Sequence, residues 1–159
     1  MIERVVDAAD RIKGVDCLMV LWAHNYPAVA EEDVLSRFFY AWRALPFPTD
    51  TIMRLTGDCP LLDPATCELV LASHKGGYTS NVYPKRTFPD GLDCEVFSAR
   101  LLTLAHTMAR SPEDREHVTP WMQRHGPVAS VELPVDWSHV RLTLDTENDL
   151  RWLRAVVSR

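Results

Sequence analysis

Apolar residues recur at helical spacing at Ile2, Val5, Val6, Ala9 and Ile12, which predicts an amphipathic helix over 2–13 stopped by Gly14. The run that follows, VDCLMVLW over 15–22, is apolar but for Asp16 and predicts a buried strand. AHNYPAVA, 23–30, reads as a loop. Val34, Leu35, Phe38, Phe39 and Trp42 fall on one face of a helix over 31–44, which Pro46 and Pro48 end. Residues 51–56 predict a short strand that leaves through the turn Gly57-Asp58-Cys59-Pro60. Pro64, at a first helical position, opens a helix reaching about 74, before the Gly76-Gly77 break.

Helix, strand, helix, strand, helix in succession predicts an α/β fold with right-handed crossovers around a mostly parallel sheet. Over 78–97 the rhythm changes. Prolines and a Pro-Asp-Gly turn interrupt aromatic and β-branched residues, so a β-excursion is expected there. Helices follow over 98–110 and 112–124, the second with the capping pattern Ser111-x-x-Asp114. Residues 128–133 and 140–144 predict strands, and Thr146-x-x-Asp149 caps a final helix to 157. The aromatic residues Phe38, Phe39, Trp42 and Trp152 read as core at this spacing, not as stacking platforms. No internal repeat or low-complexity segment occurs, and residues 1–159 read as one domain.

Composition narrows the class without naming a function. The chain has 159 residues, 47% of them hydrophobic and 25% charged, the proportions of a folded globular protein. At this length folding buries roughly 68–70% of the surface of the unfolded chain, enough for one substantial core. Seventeen basic against 22 acidic residues give a formal net charge of −5 with no basic run, which argues against a nucleic-acid partner. Cys17, Cys59, Cys67 and Cys94 form no close pair, so a thiolate zinc site is not expected. The start MIERVVDAADRIK lacks the layout of a secretory signal, and no apolar run approaches a membrane span. A cytoplasmic protein with reduced, half-buried thiols and no membrane partner is the expectation.

Two carboxylates stand where open α/β sheets bind ligands, beyond the carboxyl ends of strands. Asp58 follows TIMRLT and Asp145 follows VRLTL. If those strands are neighbours, the two face one crevice and can share a hard divalent cation such as Mg²⁺, with water and substrate phosphates completing its shell. Spacing alone leaves the bland alternative open: Asp145 helps to satisfy the amides of the last helix, and Asp58 is a turn residue.

Five motifs occur in order: RLTGDCPLLDP (54–64), YTSN (78–81), RTFPDGLDCEVFS (86–98), DREHVTP (114–120) and RLTLDTENDL (141–150). Together with EEDVLSRFFYAW (31–42), they resemble cytidylyltransferases of the spore coat polysaccharide type, relatives of the CMP-sialic acid and CMP-KDO synthetases. The resemblance implies a three-layer α/β/α nucleotidyltransferase fold. It also implies attack of a sugar hydroxyl on the α-phosphate of CTP, leaving a CMP-sugar and pyrophosphate. By the same resemblance, Asp58 and Asp145 are the catalytic, Mg²⁺-binding aspartates, and Arg54 and Gly57 are nucleotide-binding residues. The sugar-acid pocket would draw on Asn81, Asp90, Glu95, Arg115, Glu116 and His117. Structural alternatives stand beside these roles: Asp90-Gly91 as a turn, Glu95 solvated, His117 paired with Glu116. His106 and His125 match no motif and read as surface or packing residues.

The sequence departs from the family in one consequential respect. Nothing in it resembles the QARMGSTRLPGK loop with which relatives wrap the CTP triphosphate, and only AHNYPAVA bridges from the strand ending near Trp22 to the EEDVL helix. The expectations are therefore weak or absent independent catalysis and an exposed sheet edge that self-associates or recruits another segment, including a complete homologue. A non-catalytic binding or assembly module of a polysaccharide pathway is the second reading. A nucleotide-sugar glycosyltransferase ranks third, because no Asp-x-Asp motif sits at a strand end.

Overall fold

Short strands rich in β-branched and aromatic residues form the centre of the molecule, and the helices between them cover both faces. The computed structural model describes residues 2–157. Strands β1 (Thr51–Arg54), β2 (Tyr78–Ser80), β3 (Glu95–Ser98) and β4 (Val128–Ser130) make a sheet in the order β1-β3-β2-β4. β3 runs antiparallel to both β1 and β2, whereas β2 and β4 are parallel. Three strands thus share one direction and β3 opposes them. The mostly parallel direction expected from sequence holds for three of the four strands; 78–97 is not a peripheral excursion, because its ends are the two central strands. Only the loop 81–94 between them leaves the sheet.

Helices α1 (Ile2–Ala9) and α3 (Pro64–Ala72) cover one face, where Val5, Ala9, Cys67 and Val70 pack with Val96. On the other face lie α2 (Val34–Arg43), α4 (Ala99–Met108), α5 (Pro112–His117) and α6 (Pro120–His125). There Leu35, Leu102, Val118 and Met122 enclose Tyr78 and Phe97. The result is the three-layer α/β/α arrangement of a nucleotidyltransferase-like fold.

Local chemistry sets the helix ends. Asp33 caps α2 by accepting from the Ser36 amide, so this helix starts at Val34. Asp63 caps α3 with Pro64 in its first turn, and Ser98 caps α4. The single helix expected over 112–124 is two helices, broken at Val118, whose φ is +70°, and restarted by Pro120. At α7 (Glu147–Val157), Thr146 and Asp149 exchange amide-to-side-chain bonds at 2.8 and 3.2 Å, the reciprocal cap the sequence predicts.

The structure corrects three further expectations. Residues 15–22 form no strand: Val15, Leu18, Met19, Val20 and Trp22 are exposed, and no sheet neighbour reaches them. Residues 140–144 contribute a single parallel bridge between Asp90 and Arg141, not a strand. Trp152 is exposed because Leu153 is the residue that α7 turns inward; Phe38, Phe39 and Trp42 do pack against the second core. Of the thiols, Cys17 is exposed and Cys59, Cys67 and Cys94 are fully buried, all unpaired. No helix among the described residues is long and apolar enough to cross a membrane.

Candidate functional site

The chain leaves β1 through a turn that is fixed from beneath. Cys59 is buried, with its Sγ 3.1 Å from Thr56 Oγ1 and 3.6 Å from Asp58 Oδ1. Burial, opposed in part by Thr56 and reinforced by the Asp58 and Asp93 charges, pushes its thiol up to about 12. Cys59 is therefore a neutral anchor for the turn, not a nucleophile. Above it, Asp58 remains partly open to solvent.

The second carboxylate comes to the same place through the backbone. The Leu144 amide donates to the Asp58 carbonyl at 2.8 Å, so 142–145 runs beside the GDCP turn and Asp145 follows at the start of the α7 cap. The condition set from sequence, two neighbouring strands, is not met, since 140–144 is no strand; a loop lies beside the GDCP turn instead. The backbone amides of Asp145 and Thr146 donate to Asp149 at 3.0 and 2.8 Å and hold its carboxyl down at about 2.

A guanidinium that sequence reasoning assigned no role sits among these acids. Arg141 donates to Asp90 at 3.0 Å and to Asp145, and its Nη2 lies 3.6 Å from Asp149. Arg86 forms a two-pronged bond with Asp93 at 2.6 and 2.8 Å and approaches Asp90 at 3.5 Å. Two arginines thus hold four aspartates in one half-buried network that joins the 86–93 loop to 141–149. Both arginines fall inside quoted motifs, RTFPDGLDC and RLTLDTEND, which was the available signal. Gly91 lets the loop come close: its φ is +105°, and a Cβ there would lie 2.7 Å from the Leu142 carbonyl carbon.

The other expected site residues are placed differently. Glu95 is buried and accepts from Arg54 at 2.5 Å, Tyr78 at 2.6 Å and Thr119 at 2.7 Å. Burial first, then the Glu95 charge, pushes the Tyr78 phenol up, so it stays a donor. Asn81 is also fully buried; it donates to the Leu92 carbonyl at 2.7 Å and accepts from the Cys94 amide at 2.9 Å. As direct sugar contacts, Glu95 and Asn81 are therefore corrected to framework: their hydrogen-bonding capacity is used within the protein. Arg54 is engaged with Glu95 in the same way. Arg115 leaves the site altogether, donating to Asp33 and Ser36 at 2.6 Å each and to the His106 carbonyl at 3.0 Å. His106 stacks on Phe39 beside it. Glu116 and His117 are exposed at the end of α5. Asp58, Asp90 and Asp145, with Gly57 in the turn, are the expected residues that the structure gathers.

As a metal centre this donor set is sparse. Among the described residues, no group of three or more His, Cys, Asp or Glu is placed to hold an ion. Two hard carboxylates on joined loops fit the mode in which Mg²⁺ keeps waters and takes its remaining ligands from substrate phosphates.

Comparison with known proteins gives the class of the chain. The chain is 30% identical over 136 residues to the spore coat polysaccharide biosynthesis protein SpsF of Bacillus subtilis, covering 82% of this chain and 55% of that protein. It is 32% identical over 133 residues to an uncharacterized protein of Methanocaldococcus jannaschii, covering 77% and 51%. A cytidylyltransferase from Leptospira borgpetersenii superposes with a TM-score of 0.74 at 30% identity, over 81% of this chain and 56% of that one. The 4-diphosphocytidyl-2C-methyl-D-erythritol synthase of Anaerococcus prevotii shares the fold, with a TM-score of 0.64 at 12% identity, over 99% and 86%. No protein-family model matches. Fold and sequence together define a nucleotidyltransferase-like protein. More narrowly, the chain is cytidylyltransferase-like, and it spans about half the length of the curated relatives it matches.

Proposed function

We propose that this chain carries the metal-aspartate half of a site that transfers CMP from CTP to a sugar acid in surface polysaccharide biosynthesis in the cytoplasm. The observation that carries this reading is the Leu144–Asp58 backbone bond, which brings the loops bearing Asp58 and Asp145 together at one end of the sheet. Asp58 and Asp145 would hold Mg²⁺, whose charge would offset that of the phosphates. The chain's own contribution is positioning, since nucleotidyl transfer asks for orientation and charge neutralisation more than for covalent participation. The acceptor hydroxyl oxygen forms a bond to the α-phosphorus, the bond to pyrophosphate breaks, and the hydroxyl proton passes to solvent. Arg141 holds Asp145 and Asp90 in the meantime, and the Arg86–Asp93 pair keeps the 86–93 loop against them.

Pyrophosphate release from CTP, measured with Mg²⁺ and a panel of nonulosonic and KDO-type acids, tests the reading. Release that depends on one sugar acid and disappears in Asp145→Asn supports it. If CTP binds with no release from any acid, the second reading holds: a non-catalytic module. Arg141 is the observation on that side, because it already neutralises the carboxylate that a metal would need.

A further inference from the structure

Asp58 and Asp145 are drawn together by one backbone bond, but their carboxylates stand in different company. Among the described residues, the Asp58 carboxylate accepts only a weak thiol bond, from Cys59 at 3.6 Å. The Asp145 carboxylate is bonded through Oδ2 to Nη2 of Arg141. A positive charge thus already stands at one of the two acids that a divalent cation would share.

Asp145 is also the acid that depends most on Arg141. Asp90, which Arg141 reaches at 3.0 Å, has Arg86 at 3.5 Å as another partner. Asp149 lies 3.6 Å from the guanidinium and accepts from the amides of Asp145 and Thr146 at 3.0 and 2.8 Å. Asp145 pairs with no other cation among the described residues. A divalent ion on the second oxygen of Asp145 would therefore share one carboxylate with a guanidinium, and the two positive charges repel. Arginine does not lose its proton at any working pH, so the repulsion is a permanent part of the site. The Arg141 and Asp145 side chains are 47% and 50% exposed, and water screens them, so the effect is on affinity and is not a block.

We infer that Arg141 is a built-in counter-cation that holds the divalent-cation affinity of the bare Asp58 and Asp145 pair low, so that the cation is held firmly only together with phosphates that add negative charge. The inference rests on the reading that these two aspartates share the cation, and adds how that site is regulated: cation and nucleotide load together, not the cation first.

Titration of the full chain with Mn²⁺ in the absence of nucleotide, with the free ion read by electron paramagnetic resonance, tests it. Arg141→Gln should bind Mn²⁺ roughly tenfold more tightly than the wild type. Arg141→Lys keeps the charge and should bind as the wild type does. Arg151→Gln removes the same charge from α7, where Arg151 pairs with Glu147 at 3.5 Å, and should leave the affinity unchanged. The gain should vanish when Asp145→Asn is added to Arg141→Gln. A second readout needs only the folded wild type: saturating Mg²⁺ should shift the Arg141 side-chain N–H signal, assigned by its loss in Arg141→Lys. Unchanged or weaker Mn²⁺ affinity in Arg141→Gln overturns the inference, as does an equal gain in Arg151→Gln, a gain that survives Asp145→Asn, or an Arg141 signal that Mg²⁺ does not move. Wild-type binding that needs both aspartates, with no gain in Arg141→Gln, sinks the inference and leaves the reading of the site standing. A gain that needs Asp145 but ignores Asp58→Ala supports the role of Arg141 and removes the shared site. No Mn²⁺ binding in any variant overturns both.

Discussion

The amide of Leu144 donates to the carbonyl of Asp58 at 2.8 Å, and this one backbone bond sets the two aspartate-bearing loops side by side. Neither residue's side chain makes the bond, so substitutions of Asp58 and Asp145 test chemistry without removing the link that aligns them.

Gly91 is the point at which the 86–93 loop presses on that alignment. Gly91→Ala places a Cβ against the Leu142 backbone at a φ that side chains rarely adopt. The expected cost is more than about 1 kcal/mol, together with displacement of 142–145. Urea denaturation reads the first effect, and any nucleotide titration should weaken in parallel. An alanine variant with wild-type stability would mean that the loop does not lean on 142–143.

Glu95 holds the middle of the sheet to α6. It is opposite Arg54 in the β1–β3 register and collects three donors while 5% exposed. Glu95→Ala leaves the Arg54 guanidinium without its partner and is expected to destabilise by about 3 kcal/mol. Glu95→Gln, which keeps the shape and an acceptor, should cost less. A loss in the alanine variant no greater than in the glutamine variant would show that the retained acceptor and shape contribute nothing, and would contradict a hydrogen-bonded hub.

Asp149 gives a pH signature. The backbone amides of Asp145 and Thr146 draw its carboxyl from the ordinary 3.8 to about 2 in the folded chain. Between those values the unfolded state binds more protons than the folded one. The contribution is therefore complete above about pH 4 and is lost as pH falls through about 2. Denaturation midpoints followed over that interval should fall more steeply in the wild type than in Asp149→Asn. Identical slopes would show that the cap is not charge-dependent.

Much of this architecture was legible because local signals and tertiary context agree. Pro64, the Thr146–Asp149 box and the helical face of Val34 to Trp42 each specify a local state that the fold keeps. The turn position of Asp58 was legible from its place beyond β1, whereas the strand expected before Asp145 is a loop and only the motif marks that residue. Burial was not: 78–97 reads as a β-excursion that offers Asn81 and Glu95 to a sugar, yet both lie inside because Cys94, Tyr78, Thr119 and Arg54 satisfy them there. Periodicity records side-chain character and carries no record of partners, which is also why the 15–22 run reads as a strand and has no ladder. Arg141 was missed because a guanidinium that bridges acids from separate loops leaves no spacing signal.

The central claim, that Asp58 and Asp145 form a divalent-cation and CTP site, is met most directly by isothermal titration of CTP into this chain with and without Mg²⁺, with ATP as the control. Saturable, Mg²⁺-dependent binding that prefers CTP and disappears in both Asp58→Ala and Asp145→Asn is the predicted result. Binding that is absent in a folded sample, or that persists unchanged in either variant, would contradict it.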